Sequence, residues 1–243
     1  MKKTRLKDVF FYFKKSAAFF DLKAKSIPPV VFLVMLALYS LNFYLMQTDS
    51  QVYSILSTEY LTSDAAAQPQ VSFGAMAAGI AVMLLINIVS FVYLDAAIRE
   101  AKQVEYSARD CVGAALRYFL RLSGVTILKN IILIAGLFLF IFPGIYLAIV
   151  MIFAECVILD KNASVLSGLK LSGKLTAGRR GEIFKIELFC NLIIAIFLVL
   201  ILSIFSTNNL AVFQYILLFT FTICTLIELK LTAYLYAGKP ETP

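Results

Sequence analysis

Threaded through six long apolar segments, this chain leaves all 22 of its lysines and arginines on one side. A water-soluble fold has no reason to sort charge in this way, whereas a bilayer does. The segments fall near 28–46, 72–97, 124–142, 144–160, 183–205 and 210–234, each close to the roughly 20 apolar residues that cross a hydrocarbon core. With 61% hydrophobic and 15% charged residues in 243 positions, more apolar surface is present than a soluble core of this size can bury. The runs are too long and too evenly apolar for the alternating strands of a membrane barrel. The expected fold class is therefore all-α and polytopic. Six transmembrane helices are expected as three hairpins, each preceded by a basic amphipathic helix at the cytoplasmic interface.

Charge sets the expected orientation, because short loops rich in Lys and Arg stay cytoplasmic. Residues 1–27 carry Lys2, Lys3, Arg5, Lys7, Lys14, Lys15, Lys23 and Lys25. The 98–123 connection carries Arg99, Lys102, Arg109, Arg117 and Arg121, and the 161–182 connection carries Lys161, Lys170, Lys174, Arg179 and Arg180. Connections 47–71, 142–145 and 206–209 carry none. Both termini are thus expected in the cytoplasm. Net charge +7 fits contact with anionic lipid headgroups, and Lys14, Lys15, Arg117, Arg121, Lys170, Lys174, Arg179 and Arg180 are the expected surface contacts. No nucleic-acid partner is expected, since the basic residues flank membrane spans. The start of the chain does not read as a cleavable signal peptide, and Ala65-Ala66-Ala67 lies too far downstream of the apolar run to end one. Cys111, Cys156, Cys190 and Cys224 show no paired spacing, so neither structural disulfides nor a metal site is expected.

One membrane domain is expected over 1–243, built as 1–97, 98–160 and 161–237 with a tail at 238–243. Each unit opens with an amphipathic stretch: Leu6 to Leu22, with Val9, Phe10, Phe13 and Phe20 against Lys7, Lys14 and Lys15; then Ala108 to Leu122; then Ala163 to Thr176, with a stripe of Val165, Leu166, Leu169 and Leu175. Asn162 or Ser164 is placed to cap the third helix and Gly178 to end it. Between Gly124 and Leu159 the run is broken only by Phe142-Pro143-Gly144, and Pro143 with Gly144 is expected to close a tight hairpin. Val52, Ile55, Leu56 and Tyr60 outline a short helix in the acidic outer connection. Gly74 with Ala78 and Ala75 with Gly79 allow close helix contact. With no tryptophan present, Tyr44, Tyr93, Tyr118 and Tyr236 are the expected interface anchors.

Ionisable groups within membrane spans are costly enough to count as candidate sites. Lys129, Glu155, Glu187, Glu228 and Asp95 fall at similar depth, and Lys129 can pair with Glu155. Two readings follow. The layer forms a polar vestibule open to the cytoplasm, or it is interfacial snorkelling and ion-pair stitching without a ligand. The chain contains no histidine, which removes the usual general base, and it has no phosphate-cradling Gly-rich loop with lysine. No catalytic residue and no cofactor are expected.

Residues 142–185 read Phe-Pro-Gly-Ile-Tyr-Leu-Ala, an apolar span ending in Glu155 and Asp160, then Ser167-Gly168-Leu169-Lys170-x-Ser172-x-x-Leu175-Thr176-x-Gly178. With the basic stretch 108–122 and Ala233-Tyr234-Leu235-Tyr236, this order resembles the superfamily of the glycerophosphoryl diester phosphodiesterase membrane domain and its DUF975 and YciC-like stand-alone relatives. The resemblance covers roughly 105–237. It implies a six-helix membrane domain, and no family enzymatic activity carries over because this chain has no phosphodiesterase domain. The resulting expectation is a non-enzymatic integral protein of the bacterial cytoplasmic membrane that binds lipid or an amphiphilic peptide, or serves a membrane complex as an accessory subunit. The alternative is a secondary transporter or lipid-translocating protein that uses the charged layer. Expected partners are anionic membrane lipids and a protein or peptide in the membrane.

Overall fold

A computed structural model describes residues 6–48, 73–139, 141–204 and 210–238. Every regular element within them is helical: α1 (Leu6–Ala17), α2 (Ile27–Thr48), α3 (Phe73–Ala101), α4 (Ala108–Leu139), α5 (Ile141–Met151), α6 (Ala154–Lys161), α7 (Val165–Thr176), α8 (Arg180–Ile204) and α9 (Leu210–Ala237). Six stretches are long and apolar enough to cross a membrane: Ile27–Leu45, Ala77–Ala101, Ala108–Gly136, Phe142–Lys161, Arg180–Ile201 and Val212–Ala237. Large apolar side chains cover their outer faces, with Leu120, Phe138 and Phe142 exposed by 83%, 87% and 86%. Such a surface is unfavourable in water and suited to lipid. The outer-connection helix expected around Val52–Tyr60 and the Ala65–Ala67 segment lie outside the described residues.

Local chemistry places the helix ends. Pro28 and Pro29 sit in the first turn of α2, where a missing N–H costs no intrahelical bond. At the end of α3, Gln103 adopts φ 58° while Val104 N–H bonds Arg99 O and Gln103 N–H bonds Glu100 O, the paired bonds that close a helix C-terminus. Ser107 and Asp110 exchange bonds at the start of α4: Ser107 N–H reaches Asp110 Oδ2 at 2.9 Å, and Asp110 N–H reaches Ser107 Oγ at 3.3 Å. Of the two expected caps for α7, Ser164 is the one used, accepting from Ser167 N–H. Asn162 instead ends α6 at φ 53°, and Gly178 follows α7 at φ 78°.

The main core joins α2, α3, α4, α6 and α9 through Met35, Leu94, Leu122, Val125, Ile158 and Leu226. A second cluster binds α1 to α8 and α9 through Tyr12, Ile183, Ile186, Leu231 and Leu235. Helix α9 packs more extensively on α3 than on its sequence neighbour α8. Lys102 and Tyr236 both bond Asp160, at 2.5 and 2.6 Å, so the ends of α3, α6 and α9 meet at one level.

Three expectations change. Residues 108–122 do not form a separate interfacial helix, because they are the first half of the continuous 32-residue α4. Leu122 and Val125 are both fully buried on one face, and the helix continues through Ser123 and Gly124 between them. At 1.5 Å per residue α4 is about 48 Å long, beyond a hydrocarbon core of roughly 30 Å. In α7 the fully buried residues are Gly168, Ser172 and Thr176, while of the expected stripe Val165, Leu169 and Leu175 pack partly buried against the core clusters and Leu166 is exposed. Small residues win there because α7 lies close against α5 and α6: a Cβ on Gly168 would come within 3.1 Å of Ile158 Cγ1 and 3.4 Å of Ala154 O. Tyr93 is fully buried, its hydroxyl donating to Phe19 O at 2.8 Å, so it anchors protein rather than headgroups.

The fourth apolar span is discontinuous, with α5 ending at Met151 and α6 starting at Ala154. Ser172 bridges the interruption: its Oγ donates to Val150 O at 2.7 Å and accepts from Phe153 N–H at 3.1 Å. Backbone groups freed inside an apolar bundle need such partners. Ser172→Ala is expected to lower stability by about 2 kcal/mol, because both groups lose their bond in a buried site. Thermal unfolding in detergent measures it, and an unchanged transition would mean the two groups find other partners.

Glycines mark the closest approaches and one conspicuous gap. A Cβ on Gly136 would lie 3.1 Å from Gly144 Cα, so these two residues let α4 and α5 meet beside Pro143, which occupies the first turn of α5. Gly79 meets Asn42 only at an ordinary 3.7 Å, so that position of α3 is not a tight contact. Gly113 lies in the interior of α4 with nothing within 4 Å of a built Cβ and no positive φ. Gly113→Ala is therefore expected to stabilise the protein by about 0.5–1 kcal/mol, read as a higher Tm.

Candidate functional site

Four of the five ionisable residues expected at one depth converge. Lys129, on α4, bonds Glu155 Oε1 at 2.6 Å across to the first turn of α6. Thr126, one turn before Lys129, donates to the same oxygen at 3.1 Å. A carboxylate at a helix N-terminus is favoured by the helix dipole, and the break after Met151 is what gives Glu155 that position. Glu187 on α8 accepts from Asn191 Nδ2 at 3.4 Å through Oε2, while its Oε1 is buried without a hydrogen-bond partner.

Two cavities meet at this layer. The first, about 430 Å³, is bounded by Lys129, Glu187 and Asn191 at its polar end and by Leu133, Ile145, Ile149, Phe184 and Leu188 along its length. The second, about 350 Å³, lies among α2, α3, α4 and α9 and holds Lys129, Glu155 and Glu228 beside Asn87, Ser90, Thr126, Thr225 and Thr232. Lys129 and Ile152 line both. Ile152 stands at the interruption between α5 and α6, so the helix break and the charged layer coincide.

Asp95 does not join them. It is 2% exposed and accepts from Arg99 Nε at 2.8 Å on its own helix, and neither cavity touches it. Lys185 and Lys230 also point elsewhere than their acidic neighbours. Lys230 is 1% exposed and donates from Nζ to Ala18 O at 2.6 Å and Asp21 O at 2.8 Å. The segment between α1 and α2 is thereby held to α9. The backbone N–H of Lys23 in that segment bonds Glu100 Oε2 at 3.0 Å, and Tyr106 donates to the same oxygen at 3.3 Å. Burial raises the Tyr106 phenol above its ordinary pKa, which keeps it a donor.

The basic surface residues divide by environment. Lys14, Lys15, Arg117, Lys170 and Lys174 are exposed. Arg121 donates to Asn162 Oδ1 at 2.6 Å, and Arg179 pairs with Glu182 at 3.8 Å. Arg180 bonds the Tyr146 hydroxyl, with its guanidinium 5.0 Å from the ring centroid, and leaves Nε buried without a partner. All four cysteines are free and buried, and no metal-binding group of His, Cys, Asp or Glu occurs among the described residues.

Sequence reading alone missed Thr126, Asn191, Ser172 and the role of Lys230. Spacing offered a signal for two of them: Thr126 lies three residues before Lys129, and Asn191 four after Glu187, both on a shared helix face. Ser172 and Lys230 carried no such signal, since their partners lie 19 or more residues away.

Fold and site together define an α-helical, multi-pass membrane protein with a charged layer between its helices. Comparison with known protein families, with curated proteins and with solved structures finds no match.

Proposed function

We propose that the protein is a non-enzymatic membrane protein that binds an amphiphile, a lipid or an amphiphilic peptide, alone or as an accessory subunit of a membrane complex. The observation that carries this reading is the pair of cavities meeting at Lys129. The first has an apolar length that ends in a polar layer, the shape of an acyl chain or apolar helix face with a polar group at one end. Across both cavities Glu155, Glu187 and Glu228 outnumber Lys129. A polar group bringing positive charge or several hydrogen-bond donors is therefore favoured, and Glu187 Oε1 offers it an unpaired acceptor. In this reading the apolar helices form three hairpins in a bacterial cytoplasmic membrane with both termini inside, as in the superfamily that residues 105–237 resemble.

Native mass spectrometry after mild-detergent purification tests it, comparing wild type with Glu187→Gln/Glu228→Gln. A stoichiometric amphiphile or peptide retained by wild type and lost from the variant, at unchanged fold, is the expected outcome. Bulk lipid alone in both samples would contradict it. The break at Ile152 favours a second reading as a transporter, because interrupted helices commonly line substrate sites within membranes. Flux into proteoliposomes, abolished by Glu155→Gln or Glu228→Gln in a folded protein, separates transport from binding.

A further inference from the structure

A third cavity, about 340 Å³, lies apart from the charged layer where the end of α3 faces the first half of α4. Arg99, Arg109 and Arg117 line it with Gly113, Tyr118 and Asp110. Arg109, Gly113 and Arg117 are spaced four apart, so they form one row along α4. Neither Arg109 nor Arg117 makes a hydrogen bond or salt bridge among the described residues, while Arg99 is oriented by its bond to buried Asp95. The one carboxylate in the lining, Asp110, is turned to the helix start: Oδ2 accepts from Ser107 N–H at 2.9 Å and from Ser107 Oγ at 2.7 Å. Arg99 is paired with Asp95, and Asp110 interacts with the charges of Arg99 and Arg109, so the lining keeps an excess of positive charge that centres on Arg117.

Gly113 is the second, independent observation. It weakens the interior of α4, yet no neighbouring atom and no backbone angle requires it. Its missing side chain keeps the floor of the cavity open between two arginines, where a ligand can approach the helix backbone. Val112, Leu116 and Leu120, also spaced four apart, form an adjacent row exposed by 43%, 56% and 83%. Cationic and lipid-facing apolar rows thus run side by side.

We infer that this cavity is a phosphate-binding site that takes the phosphate of an anionic phospholipid headgroup, with Arg99, Arg109 and Arg117 as ligands and Gly113 as the open floor. Guanidinium groups suit phosphate because their paired N–H donors match two of its oxygens. The apolar row favours a lipid-borne phosphate over a free one, since it supplies a surface for the acyl chains.

The test uses full-length protein in nanodiscs of phosphatidylcholine doped with phosphatidylglycerol, with co-purifying lipid read by native mass spectrometry. Arg109→Gln/Arg117→Gln is expected to lower the preference for phosphatidylglycerol roughly 30-fold, from the usual contribution of two basic residues near a charged surface. Gly113→Leu is expected to lower it as well while raising Tm, a combination that a merely structural glycine would not produce. Lys25→Gln/Lys161→Gln removes the same charge at exposed positions elsewhere and is expected to leave the preference unchanged. A parallel arm measures the Tm shift given by inorganic phosphate and by glycerol 3-phosphate against chloride at equal ionic strength. A shift in wild type that the arginine variant loses, without lipid preference, would assign the site to free phosphate. The proposal is overturned if neither arm responds to the arginine and Gly113 variants, or if the Lys25/Lys161 control loses as much as they do.

Discussion

Lys129→Met is expected to destabilise the protein by about 3 kcal/mol, roughly 6–12 °C in Tm for a chain of this size. The reason is the carboxylate it leaves behind. Glu155 is 13% exposed as a side chain and, among the described residues, takes its only charged bond from Lys129, at 2.6 Å; without the ammonium it keeps the Thr126 hydroxyl. An uncompensated charge among α4, α6 and the cavity walls costs far more than an intact pair contributes, because both ions gave up hydration to enter. The double variant Lys129→Met/Glu155→Met should then recover most of the loss, and the difference isolates the interaction. The four buried cysteines make the measurement direct, since a thiol-reactive dye reports their exposure on unfolding. Equal stability of wild type and single variant would show that Glu155 is solvated through the cavity and that the layer is wetter than its geometry implies.

Lys230→Met should cost a comparable amount, about 3 kcal/mol, by removing two charge-assisted bonds to Ala18 O and Asp21 O. Its effect is expected to be local first. The 18–26 segment carries Lys23 and Lys25, and trypsin should cut there at least about tenfold faster once the segment opens more often, as a 1.4 kcal/mol change in opening free energy already gives a factor of ten. Tyr93, bonded to Phe19 O, would still hold one point of the segment, so Lys230→Met/Tyr93→Phe should cut faster than either single change. Cleavage at the wild-type rate in Lys230→Met would mean that the Tyr93 and Glu100 contacts suffice.

Part of the architecture is legible in residue order alone. The six apolar stretches and the Lys129 to Glu155 pairing follow from hydropathy and spacing, because lipid imposes a length on each helix and a penalty on each unpaired charge. Caps are readable where a short polar side chain precedes a helix, as at Ser164, and where glycine follows one, as at Gly178. The stripe in α7 is right for Val165, Leu169 and Leu175, which pack on the core, and wrong for Leu166, because hydrophobic periodicity marks a face that leaves water without saying whether lipid or protein receives it. Leu166 faces outward, while Gly168 and Ser172 face the protein. Periodicity and the Ser123-Gly124 pair also divide 108–122 from the following span, yet the helix runs through both, with Gly124 close against Val165.

Class, number of apolar helices and the presence of a charged layer were determined by the sequence itself, because each depends on runs of neighbouring residues and on the cost of moving them between water and lipid. Tertiary structure alone decided which charges share a cavity: Lys129 shares one with Glu187 and the other with Glu155 and Glu228, whereas Asp95 pairs with Arg99 and Lys230 turns to the Ala18 and Asp21 carbonyls. Helix rotation sets those partnerships. A rotation is fixed by packing against several other helices at once, such as α9 against both α3 and α1, segments that local sequence order does not pair.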